Sequence, residues 1–143
     1  MTPSTEAKPI ALAVDDSLIS QQMVQRALDR HFKVLVADNA VEALSVIYHE
    51  PIAALLLDIT MPGIDGFELC RTVRSVPKFH SLPIMMLTSR RSAADREEAK
   101  SAGASGYMTK PFDPAQLQAA LNKLMSRLQS KSESGDRNPA SSS

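Results

Sequence analysis

The sequence predicts an α/β doubly wound domain, (βα)5, in which a five-stranded parallel sheet is covered by helices on both faces. Three observations predict it. Runs of strand length recur at Ile10–Val14, Lys33–Ala37, Ala53–Leu57, Pro83–Thr88 and Gly106–Thr109, and the central ones lack the polar alternation of a sheet with one wet face. Between them lie segments with helix-forming composition or apolar residues at helical spacing. The connections are short, as right-handed crossovers between parallel strands allow.

Taken in order, Met1 to Pro9 carries Thr, Ser, Glu, Lys and two prolines and is expected to be a disordered lead-in. The domain proper is expected over residues 10–128. The first strand, Ile10–Val14, stops at Asp15-Asp16-Ser17 and is followed by a helical stripe at Ser20, Met23, Val24, Ala27, Leu28 and His31. After the second strand, Asp38-Asn39 offers an N-cap to a helix with Ala40, Ala43, Leu44 and Ile47 on its apolar side, which Pro51 ends. The third strand ends on Asp58, and Met61-Pro62-Gly63 with Ile64-Asp65-Gly66 is turn chemistry that takes the chain out of the sheet. A helix from about Gly66 to Ser75 buries Leu69, Cys70 and Val73. The loop 77–82 leads to a fourth strand ending on Thr88, with Pro83 tolerated at its first residue.

Ala93 to Ala102 has only alanines for a core face, so this helix is expected to bury little and to be weakly held. Gly103 reads as its stop, and the fifth strand, Gly106–Thr109, runs into Lys110-Pro111-Phe112. Asp113 caps a last helix with Pro114 at its first position and a stripe at Leu117, Ala120, Leu121, Leu124, Met125 and Leu128. Residues 129–143 turn to Ser, Lys, Glu, Gly and Pro and are expected to be a disordered, Ser-rich tail. Five such units give a flavodoxin-like sheet with strand order 2-1-3-4-5.

Composition narrows the function. A chain of 143 residues fits one domain with tails, and its 16 basic residues balance its 16 acidic ones, so no bulk field draws it to nucleic acid or to a membrane surface. The single cysteine, Cys70, excludes an internal disulfide. No apolar run approaches the roughly 20 residues of a membrane span, and Met1–Pro9 lacks the apolar core of a signal peptide, so the expected location is the cytoplasm.

Placing each strand end on this sheet brings Asp15, Asp16, Asp58, Thr88 and Lys110 to one edge, the edge where open α/β sheets bind ligands. Carboxylates crowded together repel, and a hard divalent cation with oxygen ligands relieves the repulsion, with Mg²⁺ the natural candidate. A carboxylate beside such an ion can attack phosphorus and form an acyl phosphate, while a hydroxyl and an ammonium face the other phosphoryl oxygens.

With Val14-Asp15-Asp16-Ser17, Leu57 to Gly66, Leu87-Thr88-Ser89 and Gly106 to Phe112 on the page, the chain resembles the receiver domain of two-component response regulators over about Ile10 to Leu128. The resemblance implies that Asp58 is the phospho-acceptor, that Asp16 binds Mg²⁺ directly and Asp15 largely through water, and that the Ile59 backbone carbonyl completes the ligands. It also implies that Thr88 is the switch hydroxyl, Lys110 the phosphate partner, Tyr107 the aromatic that changes rotamer, and Lys110-Pro111 a cis peptide. The implied partners are a histidine kinase or histidine phosphotransfer protein as donor and a downstream target protein, with no direct nucleic-acid or membrane contact. The implied state is a monomer or a weak phosphorylation-dependent dimer, and the chain is a switch rather than an enzyme. With no output domain after Leu128, signalling is expected to pass through protein contacts.

Three positions depart from the commonest pattern: Ser89 follows Thr88 where alanine is frequent, and Thr60 and Arg90 hold the variable positions that tune the lifetime of the phosphoryl group. Other readings fit less well. A phosphatase of the haloacid-dehalogenase type resembles Asp-x-Asp where this chain has Asp58-Ile59-Thr60, and Thr60 supplies no acid or base. A flavin or dinucleotide binder requires a Gly-rich loop after the first strand, where this chain has carboxylates. A docking module that is never phosphorylated leaves the acidic set, Thr88 and Lys110 without a purpose. Asp65 reads as a turn or cap residue, Cys70 as a small buried hydrophobe, Arg90-Arg91 as a solvated pair, and His31, His49 and His80 lack ligand spacing.

Overall fold

A computed structural model describes residues 7–137, with side chains as far as Arg127. The strands are β1 Ile10–Val14, β2 Lys33–Ala37, β3 Ile52–Leu57, β4 Ile84–Thr88 and β5 Gly106–Thr109, and the helices are α1 Leu18–Leu28, α2 Ala40–His49, α3 Gly66–Arg74, α4 Ala93–Ala102 and α5 Pro114–Arg137. All pairings are parallel and the order is β2-β1-β3-β4-β5. The predicted architecture is the observed one.

Strand side chains alternate between faces, and the alternation divides the core in two. Leu12, Val14, Leu55, Leu57, Ile84 and Met86 pack under α2, α3 and α4 with Ala43, Ile47, Leu69, Cys70, Val73 and Ala99. Ala11, Ala13, Ala54, Leu56, Met85 and Leu87 pack under α1 and α5 with Val24, Leu28, Leu117, Leu121 and Leu124. The inner strands are buried and the edge strands β2 and β5 are largely half-buried. Every strand therefore delivers its last residue to one rim.

Helix starts follow side-chain chemistry. Ser17, Asn39, Asp65 and Ser92 are N-caps, each accepting the backbone N–H three residues on. Asp65 is thus a cap, as its place before Gly66 suggests. Gly103 ends α4 at φ +101, a conformation that favours glycine.

Three expectations change. The buried side of α1 is Gln21, Val24, Ala27 and Leu28, so Val24, Ala27 and Leu28 are buried as expected, whereas Met23 and His31 are exposed and Ser20 is half-buried; Gln21 takes their place, with a hydrogen bond to the Asp15 carbonyl at 2.7 Å. The third strand starts at Ile52. Helix α5 continues to Arg137, past the 128 boundary at which a disordered tail was expected to begin; extending a formed helix needs no new nucleus. Residues 1–6 of the lead-in expected over 1–9, and residues 138–143, lie outside the described residues. Leu128 lies outside the described side chains.

Helix α4 buries only Ala99 and Ala102, and polar ties from α3 supplement them. Arg71 bridges Glu68 and Glu98 at 3.0 and 2.9 Å, and Arg74 donates to the Gly103 carbonyl at 2.8 Å, to the Phe79 carbonyl at 2.7 Å and to Ser105 Oγ at 3.0 Å. Among the described residues no helix is long and apolar enough to cross a membrane.

Cys70 is fully buried on α3, and burial pushes its thiol from 9.0 up to about 11. Between those values the unfolded chain has lost the proton and the folded chain keeps it. Stability is therefore full below pH 9.0 and falls as pH rises toward 11, by about 3 kcal/mol. Denaturant titrations across this range should show a steeper loss for the native chain than for Cys70→Ala.

Candidate functional site

Three carboxylates, a lysine and a threonine meet at the carboxyl rim because backbone ladders end there. Asp15 N donates to the Ala37 carbonyl and Asp58 N to the Val14 carbonyl, both at 3.0 Å, and Lys110 N donates to the Thr88 carbonyl at 2.8 Å. Asp15, Asp58 and Lys110 are therefore each the first residue past a strand, Thr88 is the last one in its strand, and Asp16 follows Asp15.

Carboxylate oxygens of Asp15, Asp16 and Asp58 lie within 4.8 Å of one another. Asp15 is 7 % exposed and is held from two sides, its Oδ1 accepting Ser17 N at 2.9 Å and its carbonyl accepting Gln21 Nε2. The Asp58 side chain is 11 % exposed and Asp16 is open to solvent. The Lys110 ammonium donates to Asp15 Oδ2 at 2.7 Å, Ser20 Oγ at 3.1 Å and Asp58 Oδ2 at 3.4 Å. Burial opposes its charge, but the hydrogen bond it donates to Asp15 and the negative charges of Asp15 and Asp58 outweigh that, so its pKa rises above the ordinary lysine value. The lysine stays cationic.

Thr88 is fully buried, and its Oγ1 accepts Arg90 N at 3.3 Å. Tyr107 is half-buried, and its hydroxyl donates to the Arg90 carbonyl at 2.8 Å while the Arg96 guanidinium lies 4.7 Å from its ring centre. Burial, then the Asp95 carboxylate, raises the tyrosine pKa. The backbone of one residue, Arg90, thus joins both. Its side chain is not merely solvated: the guanidinium pairs with Asp95 at 2.7 Å and lies 5.7 Å from the Phe67 ring centre, and the hydrogen bond between the pair raises the arginine pKa and lowers that of Asp95. Arg91 donates to the Lys110 carbonyl at 3.1 Å. The Lys110-Pro111 peptide is cis.

The backbone carbonyl expected as a ligand, that of Ile59, is already engaged. The Ile59 carbonyl accepts Gly66 N at 2.8 Å, and Ile59 is 0 % exposed. An oxygen without accessible surface has no face to offer a hydrated ion. Thr60, one residue on, is exposed, and its carbonyl accepts no hydrogen bond among the described residues.

The sequence reading took Gly66 only for a turn residue and Ser20 only for part of a helical stripe, and missed their place beside the site. A Cβ on Gly66 would lie 2.2 Å from the Asp58 carbonyl oxygen and 2.8 Å from Ile59 Cα, so this glycine is required by close approach. The signal was available, since a glycine where a turn enters a helix serves close backbone approach as well as positive φ. Ser20 gave no such signal. A concavity of about 580 Å³ lined by Tyr48, Pro51, Phe79 and Pro83 lies at the opposite end of the sheet and holds none of these residues.

The donor set of three carboxylates fits a hard divalent cation, as oxygen-only clusters with an exposed member do.

The family model for the response regulator receiver domain matches residues 11–122. The response regulator Rre1 of Synechocystis is 37 % identical over 132 residues, covering 90 % of this chain and 57 % of that protein. The response regulator MprA of Mycobacterium leprae is 38 % identical over 117 residues, covering 81 % and 50 %. The chain spans about half the length of the curated relatives it matches. Among solved structures, the chemotaxis response regulator CheY4 of Vibrio cholerae aligns with a TM-score of 0.77 at 34 % identity, covering 82 % of this chain and 99 % of that one.

Proposed function

Because this chain belongs to the response regulator receiver-domain family, whose members act as phosphoryl-accepting switches in two-component signalling with histidine kinases or phosphotransfer proteins, we propose that Asp58 is its acceptor. The observation that carries this is the convergence of Asp15, Asp16 and Asp58 within 4.8 Å, with the Lys110 ammonium bonded to two of them. In the proposed step an Asp58 oxygen bonds to phosphorus as the P–N bond of a donor phosphohistidine breaks, which leaves the imidazole with its electron pair and the carboxylate as an acyl phosphate.

Asp15, Asp16 and Asp58, with the Thr60 carbonyl in place of Ile59, would hold Mg²⁺, which when bound offsets negative charge on the transferred group. Lys110 supplies the fixed cation. Thr88 gives up its bond from Arg90 N to reach the new oxygens, and because the Arg90 carbonyl also holds Tyr107, moving this residue frees the ring. The face built from α4, β5 and α5 then changes its affinity for a downstream protein, a population shift driven by one local charge and worth about 1–3 kcal/mol. Nucleic acid and membrane have no part in this reading, and its setting is the cytoplasm, with a monomer that pairs weakly at most when phosphorylated.

The donor protein has a place to settle beside Asp58. Leu18, Ile19 and Met23 are 65, 70 and 41 % exposed on α1, next to a largely apolar groove of about 250 Å³ lined by Ser20, Met23, Ser89, Lys110, Pro111 and Phe112.

Incubation with Mg²⁺ and acetyl phosphate should give one acid-stable, base-labile adduct on the native chain and none on Asp58→Asn. An adduct that persists on the variant rules out Asp58.

A further inference from the structure

Ser20 is the third partner of the Lys110 ammonium, and nothing in the acceptor chemistry above requires it. An ammonium has three N–H donors and no acceptor, so Asp15 at 2.7 Å, Ser20 at 3.1 Å and Asp58 at 3.4 Å account for all of them. The two shorter bonds fix where the nitrogen sits and how it is rotated. The third N–H then faces Asp58 across the longest distance, with room to shorten. We propose that Ser20 is a positioning residue for phosphoryl transfer, which together with Asp15 aims the remaining Lys110 donor at the oxygen where the transferred group arrives. This rests on Asp58 being the acceptor.

The position of the hydroxyl is set independently of Lys110. Ser17 caps α1, its Oγ accepting Ser20 N at 3.2 Å while its own N donates to Asp15 Oδ1 at 2.9 Å. Gln21, the next residue, donates to the Asp15 carbonyl. One helical turn therefore fixes both of the oxygens that orient the lysine. A lysine has a flexible four-carbon stem, and holding it in place beforehand removes that freedom from the cost of the transfer step. A serine that only fills space on the first turn of α1 would tolerate alanine without a kinetic effect, and any effect would not depend on Lys110.

The test follows adduct formation from acetyl phosphate with Mg²⁺ on the full chain, comparing Ser20→Ala, Ser20→Thr, Lys110→Met and the Ser20→Ala/Lys110→Met pair. Ser20→Ala should slow labelling about tenfold, the scale of one hydrogen bond to a charged group, at a temperature where both chains are fully folded. Ser20→Thr, which keeps a hydroxyl, should recover most of the rate, and Ser20→Ala should add nothing once Lys110 is gone. Labelling of Ser20→Ala at the native rate, or equal slowing with and without Lys110, overturns the positioning role and leaves Asp58 as acceptor. A native chain that takes up no phosphoryl group overturns the acceptor reading, and this assignment with it.

Discussion

Replacing Gly66 by alanine should lower the melting temperature by about 10 °C and abolish phosphoryl uptake at Asp58. The added Cβ meets backbone on every near side: the Asp58 carbonyl oxygen at 2.2 Å, Ile59 Cα at 2.8 Å and the Asp58 carbonyl carbon at 3.0 Å. None of these can rotate away as a side-chain tip could. Either the start of α3 moves out, breaking the Gly66 N to Ile59 carbonyl bond, or the loop carrying Asp58 shifts. Both outcomes disturb the carboxylate cluster, with a cost of about 3 kcal/mol. Gly63→Ala is the control. Gly63 needs its φ of +77 but has open space around it, so alanine there should cost about 1 kcal/mol and leave labelling intact. Thermal melts and acetyl phosphate labelling of the two variants check this, and equal behaviour would refute the steric argument.

Lys110→Met should destabilise the chain by about 2 kcal/mol in buffer free of divalent cations and slow phosphoryl uptake about a hundredfold. Methionine keeps the length of the side chain and removes the cation, leaving Asp15 and Asp58, with side chains 10 and 11 % exposed, to repel each other and Asp16. Partial solvent access keeps the penalty below that of a fully buried pair. Magnesium should then stabilise the variant more than the native chain, because it meets a cluster with no other counter-charge. Melting curves with and without magnesium measure both effects; a variant that melts with the native chain in metal-free buffer contradicts them.

The βα alternation, the caps Asn39 and Asp65, and the stop at Gly103 were all legible in the sequence, because each depends on chemistry within a few residues. The same holds for the gathering of Asp15, Asp58, Thr88 and Lys110, since a parallel sheet sends every strand's last residue to one rim. The full buried side of α1 was not legible. Few apolar residues mark its stripe, so bringing in Gln21 where Ser20 and Met23 were expected, with Val24, Ala27 and Leu28 unchanged, alters the pattern little, and a tertiary hydrogen bond to Asp15 accompanies it. The roles of Arg90 and of the Ile59 carbonyl were hidden for a related reason: both are set by which backbone groups face each other across loops.

By itself, then, the sequence determined the order of the sheet and which reactive groups stand at its rim, because strand length, turn chemistry and apolar runs are local properties. Only the tertiary structure decided which atoms meet: Lys110 reaches Ser20 across 90 residues and Asp15 across 95. Those contacts exist because β1 and β5 end at the same rim and α1 packs on the sheet face that also carries α5, and packing of that kind fixes distances that no spacing in the chain encodes.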